Sequence, residues 1–113
     1  MKKLISLCAL LVAGSFSSWA LAEEASVKIL SPASGAKLDS MAQNKATYEV
    51  VPGPRGDHVH FYIDGQEVAV LRQLKGSYTM ETLGPGNHEL CIKVVNKGHT
   101  PIGVQQCINV IAE

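Results

Sequence analysis

The chain has 113 residues, ten basic and ten acidic side chains, four histidines and 46% hydrophobic residues. Setting aside Lys2 and Lys3, which belong to an expected leader, leaves eight bases against ten acids, a net charge of −2 with neutral histidines. No basic patch forms, which argues against nucleic acid and anionic membrane surfaces as partners.

Met1-Lys2-Lys3 leads into an apolar run from Leu4 to Phe16, and Ala20-Leu21-Ala22 supplies a small-x-small cleavage signal. This pattern predicts a secretory signal peptide over residues 1–22, cleaved to leave one domain over residues 23–113. The run is too short to span a membrane, and no later stretch approaches the length required. Cys8 lies inside the run, before any lipidation site. The expected destination is the bacterial periplasm. A domain this small is marginally supported by its core. In an oxidising compartment its remaining pair, Cys91 and Cys107, defaults to a disulfide.

From Ala25 to Leu30 apolar and polar residues alternate, which predicts a first strand. Ser31-Pro32-Ala33-Ser34-Gly35 breaks it, and Lys37 to Asn44 reads as a loop with a short edge piece. Lys45 to Val51 is a second strand with Ala46, Tyr48 and Val50 inward. Pro52-Gly53-Pro54-Arg55-Gly56 feeds the stretch Asp57-His58-Val59-His60-Phe61-Tyr62-Ile63-Asp64-Gly65. There Val59, Phe61 and Ile63 face the core, while His58, His60 and Tyr62 face outward. Asp64-Gly65 is a hairpin turn signal. Gln66 to Leu71 forms the next strand, Lys75-Gly76 a turn, and Ser77 to Leu83 a strand with Tyr78 and Met80 inward. Leu83-Gly84-Pro85-Gly86-Asn87 is a corner. His88 to Val95 is a strand with Leu90, Ile92 and Val94 inward. Asn96 to Pro101 is a loop. Gly103 to Ile111 closes the domain with Val104, Ile108 and Val110 inward. Seven short strands without a helical period predict an all-β fold, a single antiparallel sandwich of immunoglobulin-like type.

In that topology the histidine strand and the closing strand both flank the strand from His88 to Val95. Cys91 and Cys107 then face outward on neighbouring strands and can meet as a cross-strand disulfide, worth roughly 3 kcal/mol for a loop of this length. A thiol redox or thiolate metal site is the rival, disfavoured by the spacing and by the lack of an adjacent base. His88 shares the inward parity of Leu90 and follows a Pro-Gly corner, so it reads as a structural corner residue. His99, in the loop before the closing strand, is expected at the same end of the sheet as His58. His58, His60 and His99 can therefore converge, and three imidazoles suit copper or zinc. Asp57 or a water is the candidate fourth ligand. The competing reading leaves all three rings simply wet. Met41 and Met80 fall at the wrong end and on the wrong face for a thioether site.

The stretches Asp57 to Gly65, Leu83 to Leu90 and Gly98-His99-Thr100-Pro101 resemble small exported immunoglobulin-like domains of bacterial families of unknown function. Those show a histidine-rich strand ending in Asp, a Pro-Gly-x-His corner and a late histidine loop. The resemblance implies a periplasmic sandwich with a metal-related role. The functional expectation is a non-enzymatic periplasmic protein that binds copper or zinc through His58, His60 and His99. The alternative is a metal-free accessory module that docks a periplasmic protein partner through the same face. No activated serine, paired carboxylates or Cys-His pairing points to an enzyme.

Overall fold

The computed structural model describes residues 23–113; the expected leader, residues 1–22, lies outside the described residues. Eight strands follow: β1 (Ser26–Ser31), β2 (Lys37–Leu38), β3 (Lys45–Val51), β4 (His58–Ile63), β5 (Gln66–Leu71), β6 (Lys75–Thr79), β7 (Gly86–Val95) and β8 (Pro101–Ala112). Among the described residues no helix is present, and none is long and apolar enough to cross a membrane.

The strands form two sheets, β1-β3-β6 and β2-β8-β7-β4-β5. Alternation explains which residues lie between them. Ala46, Tyr48 and Val50 from β3 meet Val59 and Phe61 from β4, Leu90, Ile92 and Val94 from β7, and Ile108 and Val110 from β8. All are buried, as is Met80, and Phe61 packs its ring 4.9 Å from that of Tyr78. The all-β sandwich expected from the alternation is therefore the fold. As expected, β7 lies between β4 and β8.

One detail follows the sequence reading except in its direction of pairing, and two depart from it. The expected short edge piece after β1 is present as a two-residue strand, β2, but it pairs in parallel, with Ile111 and Ala112 of β8. Lys75-Gly76 is not a turn: Gly76 pairs with Tyr48 inside β6, and the chain changes sheet earlier, over residues 72–74. β6 also stops at Thr79, so Met80 and Leu83 reach the core from an irregular segment.

Two turns set the ends of β4. Before it, a Cβ on Gly56 would collide with the Pro52 carbonyl and come within 2.6 Å of Val94 Cγ1, so only glycine lets the loop lie this close to β7. That approach delivers the Asp57 N–H to the Val95 carbonyl at 2.8 Å. After it, Asp64 and Gly65 take φ of 51° and 84°. Positive φ at both central residues is the geometry of a two-residue hairpin.

The β4–β5 ladder contains a bulge. Phe61 pairs with Ala69 but Tyr62 pairs with Glu67, leaving Val68 as the extra residue. Strict alternation would turn Glu67 to the same face as Ala69. The extra residue reverses this and brings Glu67 onto the outer face with His60.

Candidate metal centre

His58 and His60 occupy the outer face of β4, opposite Val95 and Lys93 of β7. They are nonetheless only 1% and 3% exposed. Outward parity here does not mean wet, because the β7–β8 connection folds over the sheet and sets its own histidine on them. The competing reading of three simply wet rings therefore fails at His58 and His60, while His99 is exposed.

The connection from Asn96 to Thr100 is a tight hairpin loop. The Asn96 N–H donates to the Thr100 carbonyl and the His99 N–H donates to the Asn96 carbonyl, both at 2.9 Å. Asn96 Oδ1 accepts from the N–H groups of Gly98 and Thr100 at 2.9 and 3.0 Å. His99 then adopts a φ of 67°. This is the left-handed position that hairpin loops usually give to glycine. A histidine there carries strain that a ligand-holding role would explain.

The three rings converge through three nitrogens. His58 Nε2 lies 3.2 Å from His60 Nε2 and 3.2 Å from His99 Nδ1, and His60 Nε2 lies 3.0 Å from His99 Nδ1. Ring centroids are 4.6 to 5.2 Å apart. The opposite nitrogens of the strand histidines face carboxylates. His58 Nδ1 meets Asp57 Oδ2 at 2.9 Å as a hydrogen bond. His60 Nδ1 lies 2.9 Å from Glu67 Oε1, but off the direction of a hydrogen bond, and it has no hydrogen-bond partner. At His58 the hydrogen bond to Asp57 keeps the proton on Nδ1 and turns the Nε2 lone pair to the centre, and at His60 the nearby Glu67 carboxylate favours the same tautomer.

That arrangement has a cost without a cation. Two inward lone pairs and the His99 nitrogen share a space where one N–H can satisfy only one neighbour. Leaving a buried acceptor unpaired costs about 1–3 kcal/mol. An ion removes the conflict. With metal–nitrogen bonds of about 2.0–2.1 Å, nitrogens spaced this way would seat an ion roughly 1 Å above their plane, with angles near 100°. That is close to one face of a tetrahedron.

Asp57 does not join the converging nitrogens; its Oδ2 holds His58 Nδ1 at 2.9 Å on the opposite side of the ring and lies 3.7 Å from Arg72 Nη1. No fourth His, Cys, Asp or Glu joins the three rings among the described residues. Sequence reading passed over Glu67 altogether. The one signal was the apolar run Val68-Ala69-Val70, which breaks the alternation of β5 and marks the bulge.

The other singled-out residues lie elsewhere. Cys91 and Cys107 pair directly across β7 and β8 and form a disulfide, with Cα atoms 4.1 Å apart. Glu89 lies beside them, but sulfurs joined to each other offer no thiolate, so this second cluster is no metal site. His88 sits at the far end of β7. Its Nδ1 meets Asp64 Oδ2 at 2.6 Å and its Nε2 meets the Gly84 carbonyl at 2.6 Å. Both partners accept hydrogen bonds, so both ring nitrogens must donate. Chiefly through the bond to Asp64, this raises the His88 pKa above its ordinary value. The Asp64 pKa is lowered, first by the Glu89 N–H and then by His88. Met41 is 86% exposed and Met80 is in the core, so neither approaches the three histidines.

No protein-family model matches the chain, and no curated protein matches it. Among solved structures it is similar to the fibronectin(III)-like modules of Clostridium thermocellum CbhA, with a TM-score of 0.65 and 18% identity over 77% of this chain and 96% of that one. It is also similar to the extracellular domain of a candidate one-component system from B. thetaiotaomicron, with a TM-score of 0.51 and 17% identity. That match covers 78% of this chain but only 15% of the other. At these identities the likeness shows the fold alone: a fibronectin III-like, immunoglobulin-like sandwich. The histidine-motif family of unknown function has no matching family model behind it.

Proposed function

We propose that this is a non-enzymatic, exported metal-binding domain whose ligands are His58 Nε2, His60 Nε2 and His99 Nδ1. The observation that carries the reading is the triangle of three imidazole nitrogens with edges of 3.0–3.2 Å, two of them on nearly fully buried rings. Neutral nitrogen donors suit both zinc and copper(II). The edge lengths favour zinc. Three ligands in a square plane would put two nitrogens trans, about 4 Å apart; here the longest separation is 3.2 Å. The cross-strand disulfide and the fold are consistent with an exported domain, and a periplasmic address is part of the proposal.

Titration calorimetry with zinc, copper(II) and nickel, at about pH 7.5 where the rings are available as ligands, tests it. Zinc should bind one ion per chain with a Kd of about 1 µM or tighter. Replacing His58 or His60 with Ala should weaken binding by more than the ~10–100-fold typical of losing an outer partner. Millimolar affinity for every ion, indifferent to these substitutions, would favour the metal-free docking module instead.

A further inference from the structure

We infer that the three-histidine centre is an open site. It rests on the metal-binding reading above, and it adds that the fourth position on the ion is taken by water in exchange with a small anion of the carboxylate or hydrogencarbonate class.

Structural zinc sites are closed by four protein ligands, whereas three protein ligands leave a position for water or an external ligand. Here the protein supplies three. Asp57 and Glu67 are the carboxylates at the rings, and each faces the Nδ1 side, away from the converging nitrogens. No further His, Cys, Asp or Glu completes the set among the described residues. The three nitrogens also form one face of a polyhedron rather than a plane around its centre, so the side opposite that face is left to an outside donor. His58 and His60 are sealed within the fold, but His99 is exposed, which puts this corner of the triangle at the surface. The two best-formed clefts, one at Pro52, Pro54, Ile102 and Val104 and one at Ser26, Lys28, Glu49 and Val51, do not include the three rings. Because His58 and His60 are almost fully buried and only the His99 corner meets solvent, the external ligand should be of a few atoms. Three neutral imidazoles put no negative charge on the ion itself, and Asp57 and Glu67 offset its charge only from the far side of the rings, Asp57 being shared with Arg72, so an anion bound directly to the ion is favoured over a neutral molecule. The exchange is simple: the anion's lone pair forms a bond to the ion and the water leaves with both of its protons.

Cobalt(II) in place of zinc makes the coordination visible. The purified protein is loaded with cobalt(II), and its visible absorption is followed while sodium azide is added; the same titration is run on Glu67→Gln. The expected result is a saturable shift of the cobalt bands at one azide per ion in both proteins. If cobalt binds but azide leaves the bands unchanged in the wild type and shifts them only in Glu67→Gln, then Glu67 closes the site and the open position is overturned. Bands unmoved in both proteins overturn it as well, with metal binding intact. Failure of cobalt and zinc to bind at all overturns the metal-binding reading itself.

Discussion

His99 combines two roles that substitution can separate. Its left-handed backbone costs a non-glycine residue about 1–2 kcal/mol relative to a residue at ease there. Histidine bears this better than most side chains. His99→Gly should therefore lose a ligand while the metal-free fold keeps its stability or gains up to about 1 kcal/mol. His99→Ala loses the same ligand but keeps the strain, and should be about 1 kcal/mol less stable than the glycine variant. Urea unfolding in chelator, paired with zinc titration, measures both. Equal stability of the two variants would show that the strain at this position is small. The carboxylates at the strand histidines can be ranked in the same way. Asp57 makes a hydrogen bond to its ring, while the half-exposed Glu67 lies close to its ring without making one. Asp57→Asn should weaken zinc by about tenfold or more, and Glu67→Gln by less.

The far end of β7 holds an element-level link. Asp64 closes the β4–β5 hairpin and also binds the start of β7, through the Glu89 N–H at 2.9 Å and through His88. The raised His88 pKa means that its contribution is fully present below the unfolded value of about 6.5 and fades as pH rises through the folded value. The lowered Asp64 pKa means that its contribution is present above about 3.8 and fades as pH falls through the folded value. The link should be strongest between these limits. Because Asp64 is half exposed, His88→Ala should cost only about 1 kcal/mol there. The loss should shrink at alkaline pH and leave zinc affinity unchanged. Thermal unfolding of both proteins across pH checks this, and a loss that grew with pH would contradict the assignment. Much of the element level could be read in advance because it rests on alternation. Leu90, Ile92 and Val94 had to face one way, so Cys91 had to face the other, and strand polarity put His99 near His58 and away from His88. What alternation could not give was burial on the outer face. His58 and His60 are covered by a loop whose path depends on Asn96 and on the left-handed His99. Glu67 reaches the site only because Val68 is inserted, and a one-residue bulge reverses every face that a strict two-residue period assigns.

At the scale of the whole domain, the proposed function gives stability two separable supports beyond the core, the disulfide and a bound ion. Cys91–Cys107 closes a loop between residues 16 apart in sequence, and its loss should cost roughly 3 kcal/mol on the chain-entropy estimate. An ion that binds only the folded chain adds RT ln(1 + [L]/Kd), about 2.7 kcal/mol at a free concentration a hundred times Kd. The two lie in the same hairpin: the disulfide joins β7 and β8, and the connection between those strands carries His99. They act on different quantities, however. The disulfide restricts the unfolded chain, whereas the ion stabilises the folded one. The hairpin does not need the sulfurs to place His99, since the ladder runs from Gly86–Ala112 to Val95–Pro101 and the loop makes its own hydrogen bonds through Asn96. The effects should therefore add to within about 0.5 kcal/mol. Replacing both cysteines with Ala should lower the unfolding free energy by roughly 3 kcal/mol with and without zinc, and zinc should raise it by the same increment in both proteins. Urea unfolding of the four states measures the cycle, after mass spectrometry has verified the two-hydrogen deficit of the native bond. A zinc increment that collapsed in the cysteine-free protein would mean that the disulfide also holds His99 in its ligating position.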